Sequence, residues 1–197
     1  MMRLACLCLA AFLTACAGNP PAESHYRVEA ERSGTAASAP RFAGKLRIAP
    51  LRAAEGYRDW RFVYRETDYR YASDPYRGFV APPAQLVTER LSAWIAASGL
   101  FGEVLGAQLD AVDWTLAGRL DALYADLRPN GERQVVVRLN LVLSRDGQLR
   151  DSRNITAAAP ISSMDGDGIA AAADAALGNA FRQYEAALAL TDPALSR

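Results

Sequence analysis

The chain has 197 residues, 22 of them basic and 22 acidic, for a formal net charge of +0 at pH 7. A hydrophobic content of 51% supports a proper core in one domain of ordinary size. The even charge balance argues against a nucleic-acid binder, which needs a basic stripe, so no nucleic acid is expected as partner.

The first residues are the most informative. Arg3 supplies a short positive start, and residues 4–13 form an apolar run without a charge. A membrane-spanning helix takes ~20 apolar residues; this run has the length and flanks of a signal-peptide core instead. Leu13-Thr14-Ala15-Cys16 follows directly and resembles the bacterial lipobox. Small residues at 14 and 15 let a peptidase approach the backbone, and the Cys16 thiol is the nucleophile that accepts a diacylglyceryl group. The expected organisation is a signal peptide over residues 1–15, a lipidated tether over 16–23, a single domain over 24–191 and a tail over 192–197. Diacylglycerol and an N-acyl chain such as palmitate on Cys16 are the non-protein groups expected, with no cofactor and no metal. Each buried acyl CH₂ contributes ~0.8 kcal/mol and stable anchoring takes about two membrane signals, which a multiply acylated cysteine supplies. Ala17, where an aspartate is absent, resembles the outer-membrane sorting signal. The expected location is therefore the periplasmic face of the cell envelope, most simply the inner leaflet of the outer membrane. Cys6 and Cys8 fall in the removed segment, which leaves Cys16 as the only mature cysteine and allows no internal disulfide.

In chain order, residues 25–30 read as a first strand and residues 32–40, rich in Ser, Ala and Gly, as a flexible loop. Residues 45–51 follow as a strand with Leu46 and Ile48 on one face. Trp60, Phe62 and Tyr64 alternate with Arg61, Val63 and Arg65, the period of a half-buried strand, and residues 69–72 pair with it across a short turn. Pro82 and Pro83 open a helix that ends at Ser98, with Gly99 at its C′ position. Leu86, Val87, Leu91, Trp94 and Ile95 form its apolar stripe. Residues 101–105 make a short strand. Val112, Trp114, Leu116, Gly118, Leu120 and Tyr124 define one face of a long strand, and Val135, Val137, Leu139, Leu141 and Leu143 one face of the next, with Asn130-Gly131 as the turn between them. Asp146-Gly147 turns the chain into a strand over 149–159. A helix over 167–190 buries Ile169, Ala172, Ala173, Ala176, Leu177, Ala180, Phe181, Tyr184 and Leu188. One-sided strands with two amphipathic helices predict an α+β fold: an antiparallel-rich mixed sheet with both helices packed on one face.

No constellation for catalysis is legible, and a non-enzyme is expected. His25, the one histidine, sits too close to the anchor to serve a Ser–His pair. Asp165-Gly166-Asp167-Gly168 lacks the later ligands of a calcium loop, because Ile169 and Ala176 stand where oxygen donors are needed; these aspartates are expected to cap the last helix. Chemistry suited to a partner concentrates instead between residues 57 and 79, where aromatic residues interleave with Arg58, Arg61, Arg65, Arg70 and Arg77. Tyrosine and arginine are enriched at interface hot spots. Trp60, Phe62 and Tyr64 are expected on the core side. Tyr69, Tyr71, Tyr76, Arg77 and Phe79 form the expected partner surface, for a protein or for lipid headgroups.

Taken in order, several segments resemble the ABC-type transport auxiliary lipoproteins, the PqiC-like family. They are Tyr26-Arg27-Val28, Leu46-Arg47-Ile48-Ala49-Pro50-Leu51, Phe62-Val63-Tyr64-Arg65, Ala81-Pro82-Pro83, Ser98-Gly99-Leu100-Phe101 and Trp114-Thr115-Leu116-Ala117-Gly118-Arg119-Leu120. The likeness runs through nearly all of the mature chain. Each motif is soft, and their order and spacing carry the match. The chain departs from the pattern at Tyr76-Arg77-Gly78-Phe79-Val80, where the family often has a tryptophan before Ala-Pro-Pro.

What the resemblance implies is an accessory role. The lipoprotein would dock on an MCE-domain periplasmic protein served by an ABC permease and ATPase, in a system that moves phospholipid or other hydrophobic cargo. It also allows a homo-oligomer, a ring around the periplasm-spanning tube. Two other readings stand beside it. A periplasmic lipid- or small-molecule-binding lipoprotein would need an apolar pocket of roughly 300 Å³ or more between helix layer and sheet. A structural envelope lipoprotein would need no transporter.

Overall fold

Three long strands carry the sheet, and the rest of the chain is arranged along one edge of the first of them. The computed structural model describes residues 22–106, 111–129 and 131–192. Cys16, with the whole lipobox, and Asn130 lie outside the described residues. The elements are β1 (Ser24–Tyr26), β2 (Phe42–Ile48), β3 (Arg52–Ala53), β4 (Arg61–Arg65), β5 (Tyr71–Phe79), α1 (Pro83–Ser98), β6 (Phe101–Leu105), β7 (Trp114–Asp126), β8 (Gln134–Arg145), β9 (Gln148–Pro160) and α2 (Gly166–Leu190). Antiparallel ladders join β7 to β8 and β8 to β9 over nearly their whole lengths. Asp146 and Gly147, at φ 49° and 76°, form the expected tight turn between β8 and β9.

The other edge of β7 is tiled in parallel by three successive short strands. β2 pairs with its start (Leu46 with Trp114), β3 with its middle (Ala53 with Leu120) and β4 with its end (Arg65 with Asp126). Outside this row, β6 pairs with β2, and β5 pairs with β4 and β1. Among the described residues, β3 pairs with β7 alone. Nine strands among the described residues thus form one mixed sheet whose longest ladders are antiparallel.

Both helices cover the same face, and the expected stripes are the buried ones. Leu86, Val87, Leu91, Trp94 and Ile95 of α1 share one cluster with Ile169, Ala176, Phe181 and Tyr184 of α2 and with the inward side chains of β7 and β8. Trp94 and Phe181 meet edge to face at 5.6 Å, joining the two helices. Removing a side chain of this size from water contributes about 1.5–3 kcal/mol. Gly99 ends α1 at φ 70°, the left-handed cap its sequence position predicts.

Several details differ from the expectation, each for a local reason. β1 stops at Tyr26. Beyond it the Glu29 and Ala30 amides donate to Asp174 Oδ1 on α2 at 2.5 and 2.7 Å instead of to a strand. The 32–40 stretch has no helix or strand, but it is pinned: Arg32 Nε and Nη2 donate to Glu185 at 3.0 and 2.8 Å, and Ala37 N donates to Ser98 O. In β7 the register with β8 shifts between Leu120 and Ala122. That bulge turns Tyr124 away from the face of Trp114 and Leu120, into a second cluster with Ala122 and Val136 on the uncovered side of the sheet. β5 extends past the expected 69–72 to Phe79 in spite of Pro75, because the proline falls in a bulge. Between Arg61 and Val63 of β4 the partner advances from Gly78 to Ser73, leaving residues 74–77 outside the ladder.

Candidate functional site

The β5 bulge is built around one buried carboxylate. Asp74 is 4% exposed. Its Oδ1 accepts from the Tyr76 and Arg77 amides at 2.8 and 3.0 Å, and its Oδ2 from Tyr64 Oη at 2.5 Å and Arg77 Nε at 2.7 Å. Burial opposes ionisation of Asp74, but these donors outweigh it and hold its carboxyl below the usual range. Burial and the same carboxylate push the Tyr64 phenol upward, so it stays a donor.

This arrangement divides the expected partner surface. Tyr69, in the β4–β5 turn, is 97% exposed, and Tyr71 and Tyr76 are also open to solvent. Tyr71 stands edge-on to Tyr124 at 5.5 Å, with the Arg65 guanidinium 5.8 Å from its ring centroid. Arg77 is half-buried and fixed by Asp74. Phe79 does not belong to the surface. It is 4% exposed and packs against Phe62 at 4.9 Å, since the bulge returns the end of β5 to the core-facing register. Of the residues expected on the core side, Phe62 is fully buried, while Trp60 is half-exposed against His25 at 4.5 Å. Burial, together with Tyr71 and Tyr124, pushes the Tyr57 phenol up to about 12 on the uncovered face. At the tip of the turn, Arg128 bridges Asp126 and Asp68.

A second feature was not singled out from the sequence. Because among the described residues nothing pairs with the outer edge of β3, the sheet has a gap there between β6 and the β4–β5 pair, and α1 crosses it. A groove of about 1130 Å³ lies there. One wall is residues 48–51 with Ala53, and the other is the outer face of α1 through Ala84, Gln85, Thr88 and Ser92. It passes Leu105 and Gly106 at the end of β6 and reaches Arg47 and Thr115, register partners on β2 and β7. Arg58 and Glu89 also line it. The visible signal was Pro50, which cuts the 45–51 strand short, but no periodicity reveals that α1 spans the break. By contrast, a pocket between helix layer and sheet, walled by Phe62, Leu123, Ile169 and Ala173, holds only about 10 Å³, far short of the roughly 300 Å³ that the alternative of a ligand-binding lipoprotein would need.

The Asp165 group caps α2 as its sequence position predicts. Asp165 Oδ1 accepts from Gly168 N at 2.8 Å and its Oδ2 from Ser163 Oγ at 2.6 Å. Among the described residues, no group of three His, Cys, Asp or Glu side chains is placed to hold a metal ion. Among the described residues, no helix is long and apolar enough to cross a membrane.

No family model matches the sequence, and no curated protein matches it. Solved structures share the fold. A Xanthomonas campestris protein of the DUF330 family superposes with a TM-score of 0.72 at 22% identity, over 82% of this chain and 92% of its own. An uncharacterised protein follows at 0.63 and 17% identity, over 86% of this chain and 97% of its own. A hypothetical protein from Chlamydia trachomatis reaches 0.52 at 8% identity, over 74% and 95%. At these identities the likeness shows the fold alone.

Proposed function

We propose that the chain is a lipid-anchored envelope lipoprotein that serves an ABC/MCE-type transport system for phospholipid or other hydrophobic cargo as a non-catalytic auxiliary component. It docks on the periplasm-spanning MCE-domain protein from an anchor on Cys16 in the outer membrane. The observation that supports docking most directly is Tyr69, 97% exposed at the tip of the β4–β5 turn. A large aromatic side chain held in water gains about 1.5–3 kcal/mol when a partner covers it. Tyr71 and Tyr76 of β5 are exposed as well, and Arg65, Arg70 and Arg77 lie among them, each held by an ion pair to Asp68, Glu66 or Asp74. The motif order along the mature chain, and the fold shared with a DUF330-family protein, are consistent with this reading.

Affinity capture of the lipoprotein from detergent-solubilised envelopes, with its companions identified by mass spectrometry, tests it. Recovery of an MCE-domain protein with its permease and ATPase is expected, and replacing Tyr69, Tyr71 and Tyr76 together by Ala should abolish it. Failure to recover any transporter component, even after crosslinking, defeats the reading.

A further inference from the structure

We infer that the groove between α1 and residues 48–53 is a binding site for a single-chain lipid with an anionic head, its hydrocarbon lying along the groove and its head at Arg47. The inference is independent of docking through the Tyr69 edge.

Size comes first. Clefts that hold small ligands run to roughly 300–1,000 Å³, and this one offers about 1130 Å³. Ile48, Pro50, Leu51, Ala53, Ala84 and Leu105 give it an apolar lining at the margin of the core, where Ile48, Leu51 and Ala84 belong to the same cluster as the helix stripes.

The backbone beside it argues against a peptide as occupant. A strand added to a sheet edge binds by a ladder of free amides and carbonyls. Along this wall the Ala49, Leu51 and Ala54 amides are already engaged and Pro50 has none, which leaves no run of free donors for a strand to join. Ala49 N and Ala54 N donate to Leu116 O and Leu120 O of β7. Leu51 N donates to Thr88 Oγ1 at 3.0 Å, and that hydroxyl donates in turn to Ala84 O. What remains is dispersion contact and desolvation, which suit a hydrocarbon chain.

Charge then sets the head. Arg47 is half-buried at one end of the groove and has no hydrogen bond or ion pair among the described residues. Other charges on the groove have partners: Arg58 pairs with Glu55 at 2.8 Å, and Glu89 accepts from Gln85 Nε2 at 3.1 Å. A guanidinium without a counter-ion among the described residues, at the end of an apolar channel, is complementary to a carboxylate or phosphate.

The test uses the full-length lipoprotein in amphipol and a diazirine-bearing palmitic acid, with crosslinked peptides mapped by mass spectrometry. Label is expected on peptides covering residues 47–53 and 84–92. Excess oleate should suppress it, and oleyl alcohol, which lacks the anion, should do so poorly. Arg47→Glu should reduce this labelling about two- to fivefold, the scale of one partly exposed charge pair. Gln85→Trp, placed on the solvent-facing wall of the groove, should remove it, with circular dichroism showing that each variant folds. Label scattered over the surface, or insensitive to both substitutions, overturns the site. So does an unlabelled groove, the outcome expected if an apolar segment of a partner protein fills it. Equal competition by oleate and oleyl alcohol overturns the role of Arg47.

Discussion

Asp74 illustrates how much a single side chain can organise. A proline in an internal strand normally ends it, because it breaks the ladder. Here four residues are lifted out of register around Pro75, and the Asp74 carboxylate takes up two amides the ladder has lost, with Tyr64 and Arg77 completing its shell. Asp74→Ala would leave those donors without an acceptor under partial burial, at a cost of about 2–4 kcal/mol, read as a lower urea midpoint at pH 7. The pH dependence follows from the direction of the shift. Asp74 is held below the ordinary carboxylate range in the folded chain. Its contribution is therefore full above the unfolded value of ~3.9 and is lost as pH falls through the folded one. The difference between wild type and Asp74→Ala should stay constant from neutral pH to about pH 4 and shrink below it. A difference that already fades between pH 7 and pH 5 would assign the effect to some other group.

At the scale of elements, the start of α2 is the sharpest case. Asp165 satisfies the Gly168 amide, and Gly168 is glycine because of contact: a Cβ there would lie 2.1 Å from the Ser163 carbonyl oxygen. Asp165→Ala should cost about 1 kcal/mol. Gly168→Ala should cost about 1–3 kcal/mol through overpacking against backbone that cannot move aside. Thermal melts of the two single variants and the double check both, and the double should fall short of the sum, since each disturbs the same turn. The cap, the α1 stripe, the Gly99 terminus and the Asp146-Gly147 turn were all legible in the sequence, because each is a local pattern of a few residues. The face of Tyr124 was not, since parity counting carries through a strand only while no bulge intervenes, and Ala122 lies just past one. β3 was hidden too: two residues give no period, and only the edge of β7 makes them a strand. The candidate surface follows the same division. Tyr69, Tyr71 and Tyr76 were recognisable by residue type, whereas the burial of Phe79 depended on the bulge, and the groove depended on a gap among four strands and a helix.

For the whole molecule, the question is whether anchoring and docking are separate properties. β1 begins at Ser24, whose register partner is Arg77, so the tether from Cys16 enters the domain beside the Tyr76–Arg77 end of the aromatic edge. The chain from Cys16 to Ser24, at ~3.5 Å per extended residue, spans at most ~28 Å. An acylated Cys16 would therefore confine that edge to a thin layer next to the membrane, which raises its effective concentration toward a partner reaching the same layer. Two variants separate the contributions. Cys16→Ser should move the protein from the membrane pellet to the soluble periplasmic fraction and lower recovery of the MCE-domain partner from intact envelopes. Its recovery should be restored when purified components are mixed at high concentration, because the docking surface is untouched. Tyr69, Tyr71 and Tyr76 replaced together by Ala should stay in the membrane pellet and remain folded by circular dichroism, with a melt lowered only by the lost Tyr71 contacts with Tyr124 and Arg65. That variant should fail to bind at any concentration that supports the Cys16→Ser protein. If it binds as well as wild type while Cys16→Ser does not bind when mixed, contact with the partner runs through the lipid anchor and the aromatic edge has no part in it.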